Sequence, residues 1–167
     1  MTLSNTPAFL AGRNNKEFSM KKYFNELLVG CSAVLSILVL LFMLAPGISS
    51  TILGTKVTTS VYELISYNDT VRAGLLIALI FTILSLLGSA CLGCMKFLKI
   101  KFDYAWLVAF VLALFSLVAG ILFFCTRPIV GVDGSSTFHL GAGAVLSGIA
   151  SILAACPLAY YGLKTKK

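Results

Sequence analysis

Only a few residue groups in this 167-residue chain have the types and spacing to do chemistry. Cys91 and Cys94 form a C-x-x-C, a spacing that lets two thiols exchange a disulfide or hold a soft metal. Cys31 and Cys156 should lie at a similar depth, so a four-thiolate site is conceivable, although a Cys in an apolar helix more commonly acts as a small apolar residue. His139 is the only histidine and the one side chain whose ordinary pKa lies near neutrality. No Ser or Cys nucleophile is framed beside it, so it reads as an interfacial group hydrogen-bonded to loops. Were those loops to recognise a ligand, the residues for the task are Asp69, Arg72, Arg127, Asp133 and His139. Ser32, Ser36, Thr82, Ser85, Ser89, Ser116, Ser147 and Ser151 could line a narrow polar path, but hydroxyls in apolar helices commonly bond to their own helix's carbonyls. Asn68-Asp69-Thr70 matches a glycosylation acceptor but reads as the turn into a helix. No catalytic residue, cofactor site or metal site is expected.

The elements that carry these residues follow from composition. The chain is 59% hydrophobic and 11% charged, against about a quarter charged in soluble domains. A fold this size buries only about 70% of its surface, so the apolar excess has to face lipid. A membrane helix needs about 20 apolar residues, and four runs qualify: 24–45, ended by Pro46-Gly47, then 73–95, 104–125 and 138–161, the last with Pro157 near its end. The first run follows a mostly polar segment, 1–22, and is too long for a signal-peptide core, so no cleaved leader is expected. The expected fold is an all-α membrane protein: a four-helix transmembrane bundle over 23–163, with a basic segment 1–22 before it and a basic tail 164–167 after it. TKVTTSVYELISY in the first outer loop reads as a short strand or β-hairpin, with an amphipathic helix through Val57, Val61, Leu64 and Ile65 as the alternative. The second outer loop, TRPIVGVDGSST, reads as a turn-rich connection.

Charge sets the orientation. The chain has 13 Lys and Arg against 6 Asp and Glu, a net charge of +7 that in a soluble protein would suggest nucleic acid. Here the excess is topological. Arg13, Lys16, Lys21, Lys22, Lys96, Lys99, Lys101, Lys164, Lys166 and Lys167 fall on one side of the spans, and only Lys56, Arg72 and Arg127 on the other. Positive residues stay inside, so both termini should be cytoplasmic and the protein a multi-pass protein of the cell membrane. That places Cys91 and Cys94 on the reducing side, which disfavours a thiol enzyme. Five Cys, an odd number, also cannot form a complete internal disulfide set. No charged residue or His lies near a span midpoint, which disfavours an ion-coupled pump.

Small residues mark the packing faces. Gly143, Ser147, Ser151 and Ala155 recur every fourth residue beside Gly148, and Ala105, Ala109, Ala113 and Gly120 form a matching stripe in the third span. Such stripes let backbones approach closely, first within one bundle and alternatively between subunits. Lys21, Lys22, Lys96, Lys99 and Lys101 are the expected contacts to an anionic leaflet.

The stretch ILFFCTRPIVGVDGSSTFHLGAGAVLSGIASILA resembles small four-span membrane proteins of low-GC Gram-positive bacteria and their wall-less relatives. That resemblance covers mainly the second half; it implies a bacterial cytoplasmic membrane and no activity. Claudin-type proteins share the layout, but this first outer loop has neither Cys nor Trp and lacks their disulfide-braced signature. The functional expectation is a non-catalytic accessory subunit or interaction module whose partners are the bilayer and another membrane protein or a second copy, with no nucleic acid. The alternative is a homo-oligomeric channel or transporter for an uncharged or lipid-like solute.

Overall fold

The computed structural model describes residues 8–52, 55–67, 70–98, 100, 102–131 and 138–166, with the backbone alone for 8–23, 25, 52, 67, 70 and 71. In chain order the elements are α1 (Ala8–Phe42), β1 (Pro46–Ile52), β2 (Thr55–Ser60), α2 (Val61–Ile65), β3 (Ser66–Tyr67), β4 (Thr70–Val71), α3 (Ala73–Phe97), α4 (Ala105–Phe124), α5 (Thr126–Val130), β5 (Phe138–Leu140) and α6 (Ala142–Thr165). Three of them, α3, α4 and α6, are long and apolar enough to cross a membrane. The apolar part of α1, Glu26–Phe42, is a shorter stretch. The four long helices close a ring in which α1 and α4 each pack on both α3 and α6.

The ring is built with its small residues inside. Ala78, Ala109, Ala119, Ala144 and Ala154 are fully buried, while Leu87, Leu114, Leu117, Ile149 and Leu153 point outward and stay exposed. A water-soluble bundle would reverse that pattern, because exposed aliphatic surface of this extent is unstable in water. Small inward residues let the backbones come close, and dispersion then holds helices that lipid would otherwise solvate equally well.

Along the ring axis the interior has three zones. At one end Val39, Met43, Val61, Leu64, Leu75 and Phe123 form an apolar cluster. At the other end Val29, Leu92, Ala109, Leu112, Leu158 and Tyr161 form a second. Between them every long helix contributes buried hydroxyls: Ser32 and Ser36, Thr82, Ser85 and Ser89, Ser116, and Ser147 and Ser151. Three of these cross between helices, with Ser32 Oγ donating to the Ala154 carbonyl (3.1 Å), Ser116 Oγ to Ser151 (2.7 Å) and Ser147 Oγ to Val39 (3.4 Å). Ser36, Thr82 and Ser89 donate back to their own helices.

One end of the ring carries a cap. β1 is the central strand of an antiparallel sheet ordered β2-β1-β5, with Ile48 opposite both Thr59 and Leu140. β3 and β4 form a separate small ribbon. The helix α2 starts in a capping box, since Ser60 Oγ accepts from Glu63 N–H and Glu63 Oε2 accepts from Ser60 N–H. Its Val61 and Leu64 face inward and plug the ring, tied down by Val61 N–H to the Met43 carbonyl and by Tyr62 OH to the Leu40 carbonyl. The segment between α1 and α3 therefore holds both the expected hairpin and the alternative short helix, in succession. The opposite end, where α1 and α6 carry the chain termini and α3 turns into α4, has no such cover among the described residues; it is called the open end below.

Four expected boundaries shift. α1 begins at Ala8 and ends at Phe42, so the helix takes in most of the basic segment 1–22 expected to precede a span over 24–45. Residues 138–140, expected to open the fourth span, are strand β5 because their backbone pairs with 48–50 of β1. α6 starts at Ala142 instead and runs through Pro157 to Thr165, so the proline lies inside the helix and the expected tail begins within it. The second loop, expected as turns, opens with α5, in which Pro128 sits in the first turn, where a missing N–H is tolerated. α5 ends on Gly131, whose positive φ of 83° is the left-handed geometry glycine adopts freely.

Candidate functional site at the open end of the bundle

The residues expected to form an outer recognition set are divided by the fold. Arg72 caps α3 without a side-chain bond to it, Arg127 lies in α5, and both are half-buried where α3 meets α5. The Nε of Arg72 is enclosed without a hydrogen-bond partner among the described residues. His139 is exposed on β5 opposite Ser49 of β1. Asp69 and Asp133 lie outside the described residues, as do the turn residues Asn68-Asp69.

The four-thiolate idea is overturned. Among the described residues no group of three or more His, Cys, Asp or Glu side chains comes together. Cys91 and Cys94 are exposed on α3, while Cys31 and Cys156 are exposed along a groove between α1 and α6. All five thiols are free.

The small-residue stripes lie at contacts within the chain. Gly143 faces the last turn of α1, where a Cβ would come within 2.8 Å of the Phe42 carbonyl oxygen. Gly120 approaches Gly148 so closely that a Cβ on Gly120 would meet the Gly148 carbonyl at 3.0 Å. Ala105, Ala109 and Ala113 turn into the open-end cluster, Ala105 only partly buried, and Ser147 and Ser151 belong to the hydroxyl zone. Two hydroxyls there, Ser85 Oγ and Ser151 Oγ, are buried with no hydrogen-bond partner among the described residues.

The groups that do converge are at the open end. Lys96 leaves the last turn of α3 with its ammonium 4.4 Å from the centre of the Tyr161 ring on α6. Lys166, just past α6, lies 5.4 Å from the Trp106 ring on α4, and Lys164 lies 5.1 Å from the Phe24 ring on α1. Such cation–ring contacts fix long side chains that would otherwise be mobile. The Glu26 carboxylate of α1 attracts the Lys96 charge, and the Lys164 ammonium opposes it. A half-open pocket of about 360 Å³ lies between α3, α4 and α6, lined on its polar side by Lys96, Asp103, Trp106, Tyr161 and Thr165 and otherwise by Leu92, Met95, Ile100, Phe102 and Ala105. Thr165 is held by donating its hydroxyl to the Tyr161 carbonyl at 2.8 Å.

Of the five lysines expected at an anionic leaflet, Lys96 is thus part of a formed site. The side chains of Lys21 and Lys22 are not described, and Lys99 and Lys101 lie outside the described residues. Sequence reading missed Asp103, Trp106, Tyr161, Thr165 and Lys166 as one group, because each taken singly is an ordinary residue of a membrane boundary.

Compared with known proteins, the chain matches no family model, no curated protein sequence and no solved structure. Its functional reading therefore rests on geometry.

Proposed function

We propose that this chain is a non-catalytic membrane protein that spans the bilayer four times and serves as an accessory subunit or interaction module. In this reading α1, α3, α4 and α6 are the spans, the sheet cap is extracytoplasmic, and both termini face the cytoplasm of a cell-membrane protein. The ten basic residues that the sequence places in the terminal segments and between the second and third spans support that orientation, as do the aromatic rings beside Lys96, Lys164 and Lys166. The observation that carries the reading is the placement of the helix faces. Glycine, alanine and hydroxyl faces are consumed in contacts within one chain, so recognition falls to the two ends. At the capped end the outer strand β2 presents Thr55, Lys56, Val57 and Thr58 with exposed side chains, and sheet edges accept further strands from a partner. At the open end the lysines anchor the chain to an anionic leaflet. The resemblance of the second half to small four-span bacterial proteins fits this placement. The partner class is another membrane protein or a second copy, and no nucleic acid is involved.

The test is extraction in mild detergent after brief cross-linking, followed by mass analysis. A stoichiometric partner or a defined oligomer is expected. A strictly monomeric chain with nothing co-purifying would contradict the proposal.

A second reading has one observation in its favour. The buried hydroxyl zone, with Ser85 Oγ and Ser151 Oγ lacking partners among the described residues, is the kind of surface that passes water or a small uncharged solute. Flux into vesicles that depends on Ser85, Ser147 or Gly148 would favour this channel or transporter over the interaction module.

A further inference from the structure

We propose that the open-end pocket is a binding site for the phosphodiester headgroup of an anionic phospholipid. It rests on the reading above only in taking the open end to lie at a membrane–water boundary. Its volume, about 360 Å³, falls within the usual range of small-ligand sites, about 300–1,000 Å³. Lys96 lines it with its ammonium against the Tyr161 ring, and Lys166, next in the chain to the lining residue Thr165, has its ammonium against the Trp106 ring. The rings hold the ammonium groups in position and leave their remaining N–H donors for an anion, so little ordering is left to do when a phosphate binds. Ammonium-to-phosphate hydrogen bonds are of the strong, charge-assisted kind.

The remaining groups define the rest of the ligand. Asp103 shares the pocket and accepts hydrogen bonds, which suits an arm bearing hydroxyl donors beyond the phosphate. Lys96 and Asp103 are the charged residues of the lining, and Lys164 and Lys166 add positive charge close by. The surplus of lysines at this end of the chain suits an anionic headgroup such as phosphoglycerol better than a zwitterion. Ile100 of the lining and the exposed Phe97 (87%) and Leu98 just before it in the chain offer acyl chains apolar surface beside the pocket. A soluble phosphate ester shares the phosphate chemistry but has no tail to lie there.

The experiment uses the purified full chain in detergent. Phosphatidylglycerol, phosphatidylcholine, phosphatidylethanolamine and glycerol phosphate are added separately, and retention is read by native mass spectrometry. Phosphatidylglycerol should be retained preferentially. A lysine near an anionic lipid contributes about fivefold in affinity. Lys96→Gln should therefore weaken retention about fivefold, and Lys96→Gln with Lys166→Gln about 25-fold. Lys56→Gln at the capped end should change nothing, and Lys96→Arg with Lys166→Arg should keep most of the binding. Equal retention of the three lipids by the wild-type chain would overturn the proposal without need of any variant. Full retention by a folded double Gln variant would overturn it as well. Glycerol phosphate binding as tightly as phosphatidylglycerol would overturn the lipid assignment in favour of a soluble phosphate ester. Because these readouts need neither a partner protein nor a topology, they fail or succeed apart from the functional proposal.

Discussion

The close approach of α6 to α1 makes Gly143 the most demanding glycine within the four long helices. A Cβ there would come within 2.8 Å of the Phe42 carbonyl oxygen and 2.7 Å of the Ala45 carbonyl carbon, with the Ala45 oxygen nearer still. Ordinary contact needs about 3.5 Å, so Gly143→Ala has to part the two helices by roughly 1 Å. Every obstacle is backbone, and no rotamer change relieves it. Overpacking of this kind costs about 1–3 kcal/mol. The same movement also stretches the Ser147–Val39 hydrogen bond, already 3.4 Å long, and such bonds contribute about 0.6 kcal/mol in membranes. The expected loss is therefore near the upper end, about 3 kcal/mol. Gly148→Ala is the internal control. The three atoms nearest its Cβ would all belong to the Phe124 side chain, the first at 2.8 Å, and that ring is 40% exposed, so a rotamer change can relieve the contact. Its cost should stay below about 1 kcal/mol. Unfolding both variants by titrating dodecyl sulfate into mild detergent, followed by circular dichroism, gives the two values. If Gly148→Ala costs as much as Gly143→Ala, the packing argument is wrong.

Further outcomes follow from single contacts. Ser116→Ala removes the 2.7 Å bond to the Ser151 carbonyl and should cost about 0.6 kcal/mol in the same titration; a loss above about 2 kcal/mol would instead mean that the hydroxyls act as one cooperative network. Ser60→Ala breaks the capping box of α2 and should speed amide exchange across residues 61–65 in proportion to about 1 kcal/mol, leaving the long helices protected. Burial raises the Tyr62 phenol above its ordinary 10.0. Because the folded value is the higher one, its contribution is complete below about pH 10 and is lost as pH rises through the folded value. The cap should loosen in that alkaline window, seen as faster exchange in 46–65. Tyr62→Phe should be weaker at neutral pH yet show no alkaline step of its own.

Much of the helical frame was legible in the sequence, because uninterrupted apolar runs such as LLIALIFTILSLL have one stable solution in lipid. What stayed hidden was every feature that depends on a distant partner. Phe138, His139 and Leu140 look like the start of an apolar helix, yet they pair with residues 48–50, far away in sequence. The reason lies in Gly141, whose N–H donates to the Gly47 carbonyl at 2.8 Å and leaves no room there for a side chain. α5 was hidden because Arg127-Pro128 reads as a stop, whereas a proline in a first turn is harmless. VYELI was ambiguous between strand and helix, and Ser60 with Glu63 decided it locally. The open-end site was the least legible part. Lys96, Asp103, Trp106, Tyr161 and Lys166 come from three helices and their flanks, and lysines beside aromatics occur at any membrane boundary.

Cysteine labelling from one side of the membrane tests the central claim most directly, because four crossings and three predict opposite results for the N-terminus. In a cysteine-free background, Thr2→Cys, Lys56→Cys and Lys164→Cys would each be treated with a membrane-impermeant maleimide on intact cells and again after permeabilisation. Four spans with cytoplasmic ends predict that Lys56→Cys alone is labelled on intact cells, and that the other two react only once the membrane is opened. Labelling of Thr2→Cys together with Lys56→Cys on intact cells would mean that α1 does not cross, and would contradict the account.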